Sequence, residues 1–507
     1  MASGVAVAPC TRQAWKRRVD SSTHLAVIAD LPALRKHLET LRALGRWPSE
    51  SVERFGRTLA SSDAWGLVHI NPLRFAERAD LAPEATVDLF VHGVKVGLFD
   101  LVWSCVCVFC GAIEYRYDTI DRIPRDSFHC TRCEADIASW LDERVEVSFS
   151  VHASIARARI DPFADLASYL RYFTTADVVH DPENAAYIAA QIYDHCLLPA
   201  ETSAELTLRL APGRSLRLVS FDRHAQLALV VDPEAPPGQP LAVDLLNAGF
   251  TTEELRVAPG EHRLRLHNRA PEATGILVLD NDTADFRHHI EHRRARVGPF
   301  LSGNGLLCTE SFRRLFRVQS LDEELVLNVR HVAFLFSDLK ASTALYQQVG
   351  DVSAYALVRD HFRELFKVTE SAGGTVVKTM GDAIMAAFTT PALATRAALR
   401  MFERIGELNK RRAEHTPALS LRIGVHAGPA IVIHTDGRLD YFGQVVNLAA
   451  RLESFAEPGS LCLAAAVAET PEVAAILNDA QARREPMSVA VRGLGGELTI
   501  ERVTPAP

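Results

Sequence analysis

The stretch His331-Val-Ala-Phe-Leu-Phe-Ser-Asp338-Leu-Lys-Ala-Ser-Thr343 decides how the last third of this chain folds. Its apolar run reads as a buried strand, and a helical pattern begins near Thr343. Asp338 therefore stands at a strand end, ahead of a turn into a helix N-terminus. A carboxylate there can take a hard cation, while loop N–H groups and the helix dipole face an anion. Taken alone, such an Asp serves equally well as a helix cap.

Two further pieces follow. Gly373-Gly-Thr-Val-Val-Lys378-Thr-Met-Gly381-Asp382-Ala-Ile-Met-Ala-Ala-Phe388 reads as two strands joined by a Gly-Asp turn, which again presents an acid at a turn. Two separated Asp residues near a phosphate-binding loop suit a two-metal site. In Asp440-Tyr-Phe-Gly-Gln-Val-Val-Asn447-Leu-Ala-Ala-Arg451-Leu-Glu453 a helix begins near Val445, and the spacing puts Asn447 and Arg451 on one face of it.

Upstream, Cys107-Val-Phe-Cys110 and Cys130-Thr-Arg-Cys133 are separated by nineteen residues. Two CxxC knuckles at this spacing predict a closed tetrahedral zinc site of structural type, with no open position for catalysis. Disulfides or redox pairs are the alternative, less suited to a reducing compartment. Cys10, Cys196, Cys308 and Cys462 stand alone. Leu31, Leu34, Leu38, Leu41 and Leu44 carry a helical period. Between residues 200 and 280 the period falls to two, as in Glu205-Leu-Thr-Leu-Arg-Leu210 and His262-Arg-Leu-Arg-Leu-His267, with Pro-Gly turns between the runs. That pattern predicts a small β-sandwich.

The expectation is an α+β multidomain chain: a flexible tail (1–22), a helical region with a zinc-ribbon-like module (23–155), a β-sandwich-like regulatory region (156–284), a connecting helical segment (285–328) and a C-terminal α/β unit (329–507). Its 507 residues carry 55 basic and 63 acidic side chains, a net charge of -8, which argues against general binding to nucleic acid or anionic lipid. With no apolar run of membrane-spanning length and no signal-peptide pattern, a cytoplasmic protein without an integral membrane segment is expected.

The three C-terminal pieces, in this order, resemble the class III nucleotidyl cyclases over about Val332 to Glu501. The resemblance implies a ferredoxin-like α/β catalytic domain, with Asp338 and Asp382 binding two Mg²⁺ or Mn²⁺ ions. It makes Lys378 and Asp440 the purine-reading pair, Asn447 the residue that orients the ribose, and Arg451 the one that stabilises the phosphate in flight. Arg492 would contact the phosphates where a Lys is usual, and Leu339 and Thr343 join the substrate-binding set. Ala341 replaces a frequent Gly in the loop after the metal Asp. Adenine offers an acceptor at N1 and a donor at its amine, which a Lys donor and an Asp acceptor match; guanine reverses the pattern. The expected reaction is conversion of ATP to 3′,5′-cyclic AMP and pyrophosphate. The resemblance also implies a head-to-tail homodimer, the metal acids coming from one chain and the remaining site residues from the other. A guanylate or dual-specificity cyclase and a non-catalytic nucleotide-binding regulator are the alternatives.

The N-terminal two-thirds is similar to an uncharacterised module found ahead of some bacterial cyclase domains, through Ile70-Asn-Pro-Leu-Arg74, the Asp88–Asp100 stretch and the Cys knuckles. A regulatory or dimer-orienting role is expected, with one structural Zn²⁺; a zinc or redox sensor is the alternative.

Overall fold

In the computed structural model, which describes residues 8–9, 31–156, 160–236, 240–280, 283–292, 296–316, 325–340, 350–411, 418–435, 437–490 and 497–506, strand β1 (Val326–Leu339) lies inside the C-terminal sheet and is covered on both faces. Ala333, Leu335 and Leu339 enter one core, whereas Val332, Phe334 and Phe336 enter another. Side chains alternate across a strand, so burial of both faces demands an unbroken apolar run.

After β1 come α1 (Asp351–Ser371), β2 (Thr375–Met380), β3 (Ala383–Phe388), α2 (Pro391–Lys410), β4 (Leu421–Thr435), β5 (Arg438–Phe442), α3 (Gln444–Phe455), β6 (Ser460–Ala464), β7 (Arg483–Ala490) and β8 (Glu497–Thr504). The sheet order is β2-β3-β1-β4-β6-β8-β7, with β5 on the far end of β4. Among the described residues of this sheet, only the β4–β6 pairing is parallel. Helices α1 and α2 pack Val358, Leu365, Ala394 and Met401 on one face. The other face shares its core with the N-terminal region: Phe334, Val432 and Tyr441 belong to the same cluster as Trp103, Leu307 and Phe312.

Strand β1 starts at Val326, five residues ahead of His331, because a bulge between Val329 and Val332 hides its continuity from the sequence pattern. The Arg330 and His331 N–H groups at this bulge each donate to the Asp142 carboxylate at 2.9 Å. An extra residue leaves ladder groups unpaired, and here an acid from the cysteine-bearing module satisfies them.

Among the described residues, that module has four α-helices, Leu31–Ala43, Ser49–Ala60, Pro72–Ala79 and Pro83–Lys95. Asn71 caps the third, accepting from Leu73 N at 2.9 Å, with Pro72 at the first helical position. They pack an aromatic core in which Phe90 lies 4.9 Å from Phe55, 5.1 Å from Phe75, 4.7 Å from Phe99 and 4.8 Å from Phe149. A three-stranded antiparallel sheet (Phe99–Val106, Ile113–Tyr117, Val145–Val151) and the hairpin Ser127–Cys130/Ala135–Ala138 carry the cysteines.

The central region is sheet-rich from Ile192; between 160 and 190 the chain forms the helices Leu166–Phe173 and Pro182–Ala190, with a two-residue strand, Val178–Val179, that pairs with Arg296–Val297. Two five-stranded sheets follow and share one core, with Leu206, Leu208, Leu264 and Leu266 from one and Leu218, Leu227, Leu229 and Ile276 from the other. Ala8–Pro9, in the segment expected to be an unpatterned tail, pairs in parallel with Ala204–Glu205 at the edge of the first sheet. No helix among the described residues is long and apolar enough to cross a membrane.

Candidate active site

Three groups of side chains stand on the C-terminal sheet. The first surrounds Asp338. Arg422, opposite it in the β1–β4 ladder, donates to the Asp338 carboxylate and lies 3.1 Å from Glu453 of α3. Asp382, at the β2–β3 turn beside Gly381 (φ 65°), is close enough to act on Arg422 and Glu453 electrostatically. Burial and the charges of Asp338 and Asp382 push Glu453 up to about 7, against the pull of Arg422. One buried oxygen of Asp382 has no hydrogen-bond partner. Three carboxylates around a single guanidinium, with an orphaned oxygen among them, have an unmet demand for positive charge, and these hard oxygen donors suit Mg²⁺ or Mn²⁺.

The second group is the pair of Lys378 and Asp440. Lys378 Nζ on β2 donates to Asp440 Oδ2 on β5 at 2.5 Å. Lys378 lines a cavity of about 340 Å³ together with Arg313, Phe316, Phe366 and Arg438. The connecting helices Gly303–Leu307 and Glu310–Leu315 hold both strands of this pair. Glu310 accepts from Thr375 at the head of β2 at 2.8 Å. Arg313 donates to the Leu439 carbonyl beside Asp440, and Tyr441 donates to Asn304 at 3.3 Å.

The third group is Asn447 and Arg451 on the exposed face of α3, lining a cavity of about 270 Å³ with His426 and Gln444. None of Asp338, Asp382, Lys378 or Asp440 lines that cavity. One chain therefore brings Asp338 near Asp382, and Lys378 onto Asp440, but keeps Asn447 and Arg451 apart from both pairs. The Leu339 side chain is packed in the core, which leaves only its backbone to face a ligand. Thr343, Ala341 and Arg492 lie outside the described residues.

Arg422 and Glu453 escaped the sequence reading. The available signal was a lone Arg at the head of the apolar run Leu421-Arg-Ile-Gly-Val, and an acid two residues beyond Arg451.

The four knuckle cysteines converge. Cys107 Sγ lies 3.8 Å from Cys133 Sγ and Cys110 Sγ lies 3.7 Å from Cys130 Sγ, with all four sulfurs within 4.8 Å of one another. A tetrahedron with Zn–S bonds of about 2.3 Å has edges of about 3.8 Å, so the set fits a zinc ion. Disulfide sulfurs would stand only about 2.05 Å apart. Arg217 of the central region clamps the second knuckle, donating to the carbonyls of Thr131 at 3.1 Å and Arg132 at 2.8 Å.

A group of acids around Arg422, a Lys–Asp pair and an Asn/Arg helix face thus stand on one mainly antiparallel sheet, and comparison with known proteins assigns that sheet to a nucleotidyl cyclase catalytic domain. The model of the adenylate and guanylate cyclase catalytic domain matches residues 326–500. The rest of the chain matches a family of unknown function (DUF5939) over residues 34–314, more than half its length, and the protein belongs to that family. Among curated proteins, an adenylate cyclase of Anabaena cylindrica is 26% identical over 214 residues, covering 39% of this chain and 42% of that one. An uncharacterized protein of Mycobacterium tuberculosis is 35% identical over 130 residues, covering 26% of this chain and 32% of its own. The chain thus spans less than half the length of these relatives. Among solved structures, the adenylyl cyclase CyaB of P. aeruginosa is 24% identical at a TM-score of 0.32, covering 36% of this chain and 97% of that one. An adenylate/guanylate cyclase/hydrolase of Silicibacter pomeroyi is 27% identical at a TM-score of 0.29, covering 35% and 98%.

Proposed function

We propose that this protein is an adenylate cyclase that converts ATP to 3′,5′-cyclic AMP and pyrophosphate at sites shared between two copies of the chain. The observation that carries the choice of base is the Lys378–Asp440 pair. Held together, the two present a donor and an acceptor side by side, the complement of adenine N1 and its amine. Guanine would set donor against donor and leave buried polar groups unpaired.

Asp338 and Asp382 would hold two divalent cations. Such ions lower the pKa of the ribose 3′-hydroxyl and neutralise charge on the phosphates. Asn447 orients the ribose, and Arg451 places a fixed positive charge where negative charge builds on the α-phosphoryl group. Arg422 balances the acids before nucleotide arrives. The 3′-oxygen displaces pyrophosphate in line, and the hydroxyl proton is released.

The separation of Asn447 and Arg451 from the other pairs supports a site completed by a second copy. So do the exposed apolar side chains of this domain: Val352, Tyr355 and Phe366 on α1, Met380 two residues from Lys378 and Phe442 two residues from Asp440. Regulation would reach the purine pair through Glu310 and Arg313, which tie the connecting helices to β2 and β5. The zinc-ribbon-like module, bound to β1 through Asp142 and to the central sheets through Arg217, would fix the orientation of the catalytic domain.

The test is product formation by the full-length protein from ATP or GTP with Mg²⁺ or Mn²⁺, beside an Asp382→Ala control. Cyclic AMP that disappears in the control supports the reading. Cyclic GMP as the main product, or no product from a verified dimer, contradicts it.

A further inference from the structure

A second cavity, of about 440 Å³, lies in the N-terminal region among the Pro72–Ala79 helix, the three-stranded sheet and the Leu166–Phe173 helix. Its lining holds four arginines, Arg74, Arg78, Arg116 and Arg171, against three carboxylates. The carboxylates are already engaged. Asp63 accepts from Gly66 N at 2.7 Å, Asp177 meets Arg74 at 2.5 Å and the Asn71 amide at 2.8 Å, and Glu146 accepts from Thr175 at 2.8 Å. Among the described residues, Arg78, Arg116 and Arg171 have no carboxylate within ion-pair distance.

Arg116 is the deepest of these. One end of its guanidinium donates to the Tyr172 carbonyl, but its Nε is closed off from solvent with no hydrogen-bond partner. A guanidinium cannot shed its proton, and the carboxylate that acts on Arg116, Glu146, stands beyond ion-pair distance, so the burial of this charge is only partly compensated until an anion arrives. Arg116 lies 4.6 Å over the Tyr172 ring and Arg171 lies 4.4 Å over the Trp65 ring. Stacking fixes each guanidinium plane, and Arg171, which is exposed, keeps an N–H edge open to an oxyanion. His69, on the cavity wall, sits in the left-handed region (φ 50°), a conformation that the surroundings must hold in place.

We propose that this cavity is a binding site for a small phosphate- or carboxylate-bearing metabolite, with Arg116 at its floor and Arg171 and Arg78 at its mouth. Its volume is in the range of metabolite pockets. The site is independent of the cyclase reading, since it shares no residue with the catalytic domain.

The experiment is calorimetric titration and thermal shift on the full-length protein with inorganic phosphate, AMP and citrate, and with adenosine as the neutral control. The expected result is that at least one anion binds and raises the melting temperature while adenosine does not. Arg116→Gln and Arg171→Gln should each weaken binding tenfold or more, and Asp382→Ala should leave it unchanged. Arg171 is exposed, so its variant remains informative if Arg116→Gln does not fold. Binding of phosphate and AMP without citrate assigns a phosphate ligand; binding of citrate alone assigns a carboxylate. The proposal is overturned if no anion binds, if Arg171→Gln binds as well as the parent, or if Asp382→Ala abolishes the effect.

Discussion

Lys378 and Asp440 come from different strands 62 residues apart, yet their side chains meet at 2.5 Å. Both strands are gripped by the same pair of connecting helices, so the geometry of the pair depends on the chain that precedes the catalytic domain.

Reversing the pair should reverse the choice of base. Lys378→Glu combined with Asp440→Ser replaces the donor by an acceptor and the acceptor-only carboxylate by a hydroxyl that can donate. Sites built on hydrogen-bond complementarity discriminate by about 10⁴ or more. The ratio of kcat/KM for ATP to that for GTP is therefore expected to fall at least 100-fold, read by competitive assay of cyclic AMP and cyclic GMP. An unchanged ratio would remove the pair from base selection.

Asp142 ties the cysteine-bearing module to the β1 bulge through two backbone N–H groups. Asp142→Ala removes the acceptor from both donors; Arg330 and His331 are exposed, so water partly replaces it and the loss is about 1 kcal/mol for each bond. The expected outcome is a lower melting temperature and an altered basal rate with intact Lys378 and Asp382. Asp142→Asn, which keeps acceptor oxygen on one side, should lose less. Equal stability of Asp142→Ala and parent would show that the contact does not couple the units.

Gly424 on β4 lies under α3, and a Cβ there would stand 2.2 Å from Glu453 N and 2.5 Å from the Ala449 carbonyl oxygen. Backbone cannot yield as a side-chain tip does. Gly424→Ala should displace the helix bearing Asn447 and Arg451, destabilise the domain by about 1–3 kcal/mol and lower kcat more than tenfold. Melting curves and steady-state kinetics on one preparation test both effects.

Glu146 lines the arginine-bearing cavity and is pushed up to about 7, by burial first and then by the Asp177 charge. The folded chain therefore keeps this proton to higher pH than the unfolded chain does. Stability from this group is full below about pH 4.5 and is lost as pH rises to about 7, by about 3 kcal/mol over the window. Glu146→Gln retains an acceptor for Thr175 and does not titrate. The melting temperature of the parent relative to Glu146→Gln should fall between pH 5 and pH 7 and then level off. A constant difference would contradict the assignment.

Much of the catalytic domain could be read from the chain alone, because its cues are local. The run from Val332 to Ser337, the Gly381-Asp382 turn and the i, i+4 spacing of Asn447 and Arg451 each need only neighbouring residues. Non-local features were not legible. Phe334 and Leu335 look alike in sequence but serve different cores, and only the fold reveals that one of these cores belongs jointly to the N-terminal region. Arg422 meets Asp338 through strand register, and Glu453 reaches both through helix placement; neither leaves a periodic trace. The sheets from Ile192 onward announce themselves by alternation, whereas the helices ahead of them are short and lie between loops.

Residues scattered over one chain are proposed to become a site only across two copies. Mixing Asp382→Ala with Arg451→Ala tests that proposal most directly, because each variant spoils both sites of its own homodimer while the mixed dimer keeps one intact. Neither variant alone is expected to form cyclic AMP from ATP, and an equimolar mixture should recover about a quarter of the parental rate on random pairing. A mixture as silent as its components, under conditions where the parent is active, would contradict it.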